Sequence, residues 1–234
     1  PRTPIEPVGV YFSPKSRDYD VSEFLPSYRG TLVALLQAHR EFQVVTPRTL
    51  GDFKGKTLVL PNVTTLNDTE KGQIASYAKN GGRLVITGAD VTGLPKSDGV
   101  VRFKDCPAKA YFDGLKKDFP SGSQNPPTEL LAAMDVKARI EVDAPATVAA
   151  NVSRVDGAPH IFLANFTGLV RGKIATQTPV PGIRIRVPVS DGDTLAYLPF
   201  LGQTQMLHGS RHGGQIEFTL PPVERGAIVW TTAH

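Results

Sequence analysis

A chain of 234 residues with 40% hydrophobic and 21% charged residues has enough apolar content to bury a core, and it lies far from the composition of disordered segments. Its formal net charge of +4 is spread thinly, with Lys116-Lys117 and the alternating Arg184 and Arg186 as its densest basic points and no aromatic stacking segment beside them, so the reading is no nucleic-acid partner. A single cysteine, Cys106, excludes an intramolecular disulfide and a cysteine-built metal cluster, and no apolar run approaches the roughly 18–20 residues that span a bilayer. These features predict a soluble, cytoplasmic or periplasmic protein with no membrane contact; length alone admits one large domain or two modest ones.

The polar opening stretch from Pro1 to Pro7 reads as a linker cut open, which suggests a fragment of a longer protein. Val8 to Ser13 (VGVYFS) is an apolar run between prolines, the pattern of a buried parallel strand. A charge-rich loop carrying Lys15, Arg17, Asp18, Asp20 and Glu23 is expected next. Leu32, Leu35, Leu36 and His39 then follow at helical spacing. Strands follow at Gln43 to Thr46 and Thr57 to Asn62. A helix capped by Asn67 or Asp68 ends at Asn80-Gly81-Gly82, whose glycines suit a left-handed C-cap, and RLVIT from Arg83 to Thr87 is a fourth strand. Val100 to Phe103 predicts an edge strand and Ala110 to Phe119 a last helix. The alternation of strand and helix argues for a parallel sheet covered on both faces.

Pro120 to Pro127 breaks the periodicity, and a short helix is expected near Leu130 to Met134. Beyond it the period becomes two: ARIEVD, TVAANVSRV, HIFLANF, IRIRVPV, TLAYLPF, QIEFTL and AIVWTTA, separated by turn residues, predict an antiparallel sandwich. The boundaries read as an α/β domain over 1–119, a linker with a short helix over 120–137, and a β-sandwich over 138–234.

Open α/β sheets bind ligands beyond the carboxyl ends of their strands. The turn after the fourth strand, Ile86 to Asp90, offers neither Ser nor Cys as an elbow nucleophile, and Cys106 has no histidine near it in sequence. No phosphate-cradling glycine motif follows the first strand, so no cofactor is expected. His208 and His212 stand four apart, but the glycines of HGSRHGG predict an exposed loop and not a metal-binding helix, so no metal site is expected. If the chain is itself an enzyme, Asp18, Asp20, Glu23 and Asp90 are its candidate catalytic carboxylates, because glycoside hydrolysis needs paired acids and these stand in loops beyond strand ends.

The string from Phe24 to Gly88, ending in NGGRLVITG, resembles the flavodoxin-like, amidotransferase-related trimerisation domain that follows the TIM barrel in bacterial family 42 β-galactosidases. HIFLANFTG and the terminal AIVW strand are similar to the small β-sandwich that closes such enzymes. The resemblance covers Val8 to Trp230. It implies an α/β plus all-β fold: a flavodoxin-like parallel sheet covered by helices, then a small antiparallel β-sandwich. It also implies an accessory, non-catalytic role in assembly and in shaping a carbohydrate active site. The partners would be the catalytic TIM barrel of the parent enzyme or neighbouring subunits of a homo-oligomer, with an oligosaccharide as a further possible ligand. The barrel that bears the catalytic glutamates of such enzymes is absent from this sequence. Two alternatives stand beside this reading: a stand-alone glycosidase using the loop acids, and a carbohydrate-binding module in which Tyr197, Phe200 or Trp230 stacks on sugar rings, although Trp230, in an apolar strand, is expected in the core.

Overall fold

The computed structural model describes residues 2–5, 7–118, 125–135, 137–170 and 172–232. In chain order the first part comprises β1 (Arg2–Pro4), β2 (Val8–Tyr11), α1 (Pro14–Tyr19), α2 (Val21–Gln37), β3 (Phe42–Val45), β4 (Thr57–Pro61), α3 (Asp68–Lys79), β5 (Arg83–Thr87), β6 (Val100–Phe103), α4 (Pro107–Asp118) and α5 (Thr128–Met134). Strands β2 to β6 form one five-stranded parallel sheet in the order β3-β2-β4-β5-β6.

The sheet is buried on both faces, which is why β2 and β4 read as unbroken apolar runs. On one face Tyr11, Leu58, Leu60, Leu84 and Ile86 pack with Phe24 of α2 and Ile74 of α3. On the other, Val8, Val10, Val59 and Val85 pack with Leu35 of α2, Ala108 of α4, and Leu130 and Met134 of α5. Helices α2 and α4 approach so closely at Gly30 that a Cβ there would collide with the Ala108 carbonyl. Helix α3 starts with a capping box: Asn67 Oδ1 accepts from the Glu70 amide at 2.8 Å, and Glu70 Oε2 accepts from the Asn67 amide at 2.8 Å. Gly81 ends that helix with φ +86°.

The second part contains β7 (Glu141–Asp143), β8 (Val148–Val155), β9 (Ala158–Asn165), β10 (Arg184–Pro188), β11 (Thr194–Pro199), β12 (Gln205–His208), β13 (Ser210–His212), β14 (Gln215–Thr219) and β15 (Gly226–Thr232). They pair antiparallel in two sheets, β1-β8-β9-β15-β11-β12 and β13-β14-β10-β7. Alternate residues of both sheets, among them Val148, Ile161, Ile185, Leu195, Phe218 and Val229, share one core, so the two sheets form a sandwich. Arg184 and Arg186 lie outside that core, paired with Asp143 and with Glu141 and Glu217 respectively.

Four local readings are corrected. The expected linker is extended at Arg2–Pro4 and adds an edge strand to the sandwich, opposite Val155 to Ser153. The expected charged loop after β2 is helical: Ser13 caps α1 through Oγ, and α2 begins at Val21 and carries Pro26 inside it. The histidine-bearing loop forms β12 and β13, joined at Gly209, where the backbone runs against Ile216 and Glu217. Trp230 points away from the core, because Ala227 and Val229 hold the inward positions of β15; its ring stacks on His160 at 5.7 Å. The predicted break over Pro120 to Pro127 falls partly on residues 120–124, which lie outside the described residues.

Candidate functional site

The carboxyl ends of β4, β5 and β6 open onto a shallow pocket of about 560 Å³ walled by Asn62, Gly88, Asp105 and Cys106, with Glu23, Lys104 and Lys109 around it. Its floor is built from backbone constraints. Asn62 turns at φ +48°, its amide donates to the Thr87 carbonyl at 2.8 Å, and its Oδ1 accepts from the Ala89 amide at 3.1 Å. Gly88 has φ +70°, and a Cβ there would collide with Asn62 Oδ1, so only glycine fits. The Gly88 amide in turn donates to the Phe103 and Asp105 carbonyls at 3.0 and 3.2 Å, which draws the ends of β5 and β6 together.

Cys106 stands where β6 leads into α4, and its carbonyl accepts from the Lys109 and Ala110 amides at 3.0 and 3.3 Å, opening the helix. The thiol is half-buried, and the fully buried Thr87 donates to Sγ at 3.3 Å. No histidine among the described residues lines this pocket, so no Cys-His nucleophile pair is assembled there among them.

The four acids singled out in the sequence occupy different settings. Asp18 is exposed on α1 and pairs with Arg17 at 2.7 Å. Asp20 joins α1 to α2, using its backbone to end one helix and begin the next without a side-chain cap. Asp90 accepts from the Thr92 amide at 3.0 Å, the Thr92 hydroxyl at 2.6 Å and Arg102 Nε at 2.6 Å, and so pins the β5–β6 connection. Burial works to raise its carboxyl, but the bonds from Thr92 and Arg102 hold it below the usual carboxylate range. Of the four, only Glu23 lines the pocket; Lys109 Nζ lies 3.7 Å from it and 3.3 Å from Asp113. Asp113 first, and Glu23 with it, raises the Lys109 ammonium above its ordinary value.

Sequence reasoning missed Asp105, the pocket's second carboxylate, and Lys109, which pairs with Glu23. Both follow from the position of the β6–α4 turn, which hydropathy marks only as an edge strand running into a helix. Glu41 was also missed. It lies between the α/β layer and the sandwich, accepts from the Ile5 amide at 2.8 Å, and is pushed up to about 7 by burial, although Ile5 and Arg2 act to lower it. Glu41 stands among the residues that wall a narrow crevice with His39 and Ile140, and not in the pocket at the strand ends.

His208 and His212 are exposed on β12 and β13, and no group of three or more metal-ligating side chains is found among the described residues. Of the stacking candidates, Tyr197 is buried in the sandwich core, whereas Phe200 is 66% exposed beside Leu201. No helix among the described residues is long and apolar enough to cross a membrane.

The sequence matches no protein-family model and no curated protein. Several solved structures, by contrast, match nearly all of it. α-L-fucosidase isoenzyme 2 from Paenibacillus thiaminolyticus matches 100% of this chain with 49% of its own, at a TM-score of 0.67 and 11% identity. Gan42B, a family 42 β-galactosidase from G. stearothermophilus, matches 98% with 40% of its own, at 0.57 and 10%. A β-galactosidase from Bacillus circulans sp. alkalophilus matches 96% with 41% of its own, at 0.57 and 11%. What is shared is the fold. The chain spans half or less of the length of these glycoside hydrolases, and at such identities the likeness concerns the arrangement of the parallel layer and the antiparallel sheets, not the chemistry.

Proposed function

We propose that this chain is the accessory, non-catalytic region of a glycoside hydrolase of β-galactosidase-like organisation, acting in assembly and in shaping a carbohydrate site formed elsewhere. The observation that carries this reading is the joint one: the α/β layer and the sandwich match together, over nearly the full chain, less than half of each of two β-galactosidases and about half of a fucosidase. The sheet order β3-β2-β4-β5-β6 is that of flavodoxin-like doubly wound folds, which supports the finer description of the layer. The strand-end pocket supports a non-catalytic role, since its Glu23 pairs with Lys109 and no Cys-His pair is assembled there among the described residues.

Exposed large apolar side chains supply a surface for assembly. Among the described residues, Phe166, Val170 and Ile174 lie in one sandwich segment and Phe200, Leu201 and Met206 in another, with Tyr19, Val21 and Val44 exposed on the α/β layer. Light scattering tests this directly. The purified chain is expected to associate into multiples of its 25.2 kDa mass, and Phe166→Ser with Ile174→Ser is expected to reduce that mass. A chain that stays monomeric at every concentration removes self-assembly from the proposal.

A stand-alone glycosidase is the second reading, favoured by the presence of two carboxylates, Glu23 and Asp105, around one pocket.

A further inference from the structure

At one end of the sandwich, where β11 ends and β15 begins, a pocket of about 190 Å³ lies between the turn that follows β11 and the segment that joins β14 to β15. Its walls are held from behind. The Phe200 amide donates to the Gly226 carbonyl at 2.9 Å, while Asn165 donates through Nδ2 to the Glu224 carbonyl at 2.7 Å and through its backbone amide to the Arg225 carbonyl at 2.9 Å. Tyr197 reaches from the sandwich core to this pocket: it is 2% exposed, and its hydroxyl makes no hydrogen bond among the described residues. The hydroxyl oxygen nonetheless keeps accessible surface, because the one fully enclosed side-chain atom without a partner among those residues is Gln73 Oε1. Buried polar groups are normally paired, so an unpaired phenol that opens into a pocket marks a place for a polar atom of a ligand.

From this arrangement we infer that the pocket binds one pyranose ring of a neutral glycan. Burial, and then the Glu224 carboxylate, raise the Tyr197 phenol above its ordinary value, so it stays a neutral hydroxyl. Gln205, Glu224 and Arg225 line the same pocket, and neither charged residue is in an ion pair among the described residues. A ligand there has to donate to the carboxylate and accept from the guanidinium. Adjacent sugar hydroxyls do both, whereas an inorganic anion brings no proton to Glu224 and a run of prolines brings carbonyls without N–H groups. Phe200, 66% exposed, with Pro199 and Pro221, supplies the apolar side for the C–H face of the ring. The volume falls below the roughly 300–1,000 Å³ of drug-sized sites, which suits a single ring with the remainder of the glycan in solvent. The inference does not rest on the accessory reading, because a catalytic chain could carry the same site.

The test is a titration of the ¹⁵N-labelled chain with galactose, glucose, mannose, fucose, rhamnose and xylose, and separately with sulfate and with hexaproline, followed by amide NMR. At least one pyranose is expected to shift the Gln205 side-chain amide together with the Leu201 and Gly226 amides. Tyr197→Phe, which removes only the hydroxyl, is expected to weaken that binding about five- to tenfold without lowering Tm, since in the free chain the hydroxyl has no partner to lose. Glu224→Gln is a second variant, expected to weaken it likewise. No shift at these residues with any sugar, a response to sulfate or hexaproline alone, or sugar shifts unaltered by both variants would overturn the inference. Shifts that follow protein concentration and no sugar would assign the pocket to a second copy of the chain, and a Tm lowered by Tyr197→Phe would show the hydroxyl to be satisfied without a ligand; either result overturns it as well.

Discussion

His39 closes the C-terminal end of α2 in the left-handed region, at φ +55°, and its Nε2 lies 2.7 Å from the Val148 carbonyl oxygen at the start of β8. The bond joins the α/β layer to the sandwich. Two residues further on, Glu41 holds the Ile5 amide at the point where the chain passes from β1 of the sandwich into β2 of the layer. An imidazole and a carboxyl, both partly desolvated, thus sit in one seam.

These two groups give the seam opposite pH dependences. Burial lowers the His39 imidazole below its ordinary value against the nearby carbonyls and Asp143, so its contribution is present above about pH 6.5 and is lost as pH falls. Glu41, raised to about 7, contributes fully below the ordinary carboxyl value, and its contribution is lost as pH rises through 7. Glu41→Gln is expected to raise Tm at about pH 8 and to leave it unchanged near pH 4.5, whereas His39→Asn is expected to cost about 1–2 kcal/mol near neutrality and to flatten the acid limb. Thermal melts across pH decide; an alkaline limb unchanged in Glu41→Gln would contradict the assignment.

Asn165 makes four side-chain hydrogen bonds in the sandwich. Its Nδ2 donates to the Thr178, Val223 and Glu224 carbonyls at 2.8, 3.0 and 2.7 Å, and its Oδ1 accepts from the Thr167 amide at 2.8 Å. Asn165→Ala leaves these buried groups without a partner and is expected to cost about 2–4 kcal/mol by denaturant unfolding. Asn165→Asp is expected to be at least as severe, because a carboxylate faces three carbonyl oxygens.

Gly88 and Gly81 separate steric from conformational cost. Both have positive φ, but a Cβ at Gly88 meets Asn62, whereas nothing lies within 4 Å of a Cβ at Gly81. Gly88→Ala is expected to cost about 3 kcal/mol and Gly81→Ala about 1 kcal/mol. Equal losses would contradict the close packing of the strand-end floor.

Most of the fold was legible because its segments have unambiguous periods. VGVY, TLVLP and RLVIT carry the continuous apolarity of two-faced burial, and IRIRVPV the alternation of one-faced burial. The errors fell where two signals compete. Charged residues and Pro26 mask α1 and the first turn of α2, whose stability comes from a Ser13 cap and packing of Phe24. In β15 both faces are apolar, so the inward Val229 and the outward Trp230 could not be told apart by hydropathy. Strand β1 owes its place to a partner 151 residues away, a pairing that local pattern cannot encode. The candidate site was legible only in part, since Glu23 reached the strand-end pocket while Asp105 and Lys109 emerged from the three-dimensional meeting of α2, β6 and α4.

The measurement that bears most directly on a non-catalytic role is hydrolysis of a panel of nitrophenyl glycosides by the purified chain alone, alongside Glu23→Gln, Asp105→Asn and Asp90→Asn. The expected result is no turnover above background for any of the proteins. Turnover by the unaltered chain that Glu23→Gln or Asp105→Asn abolishes would contradict the accessory reading and establish a glycosidase at the strand-end pocket.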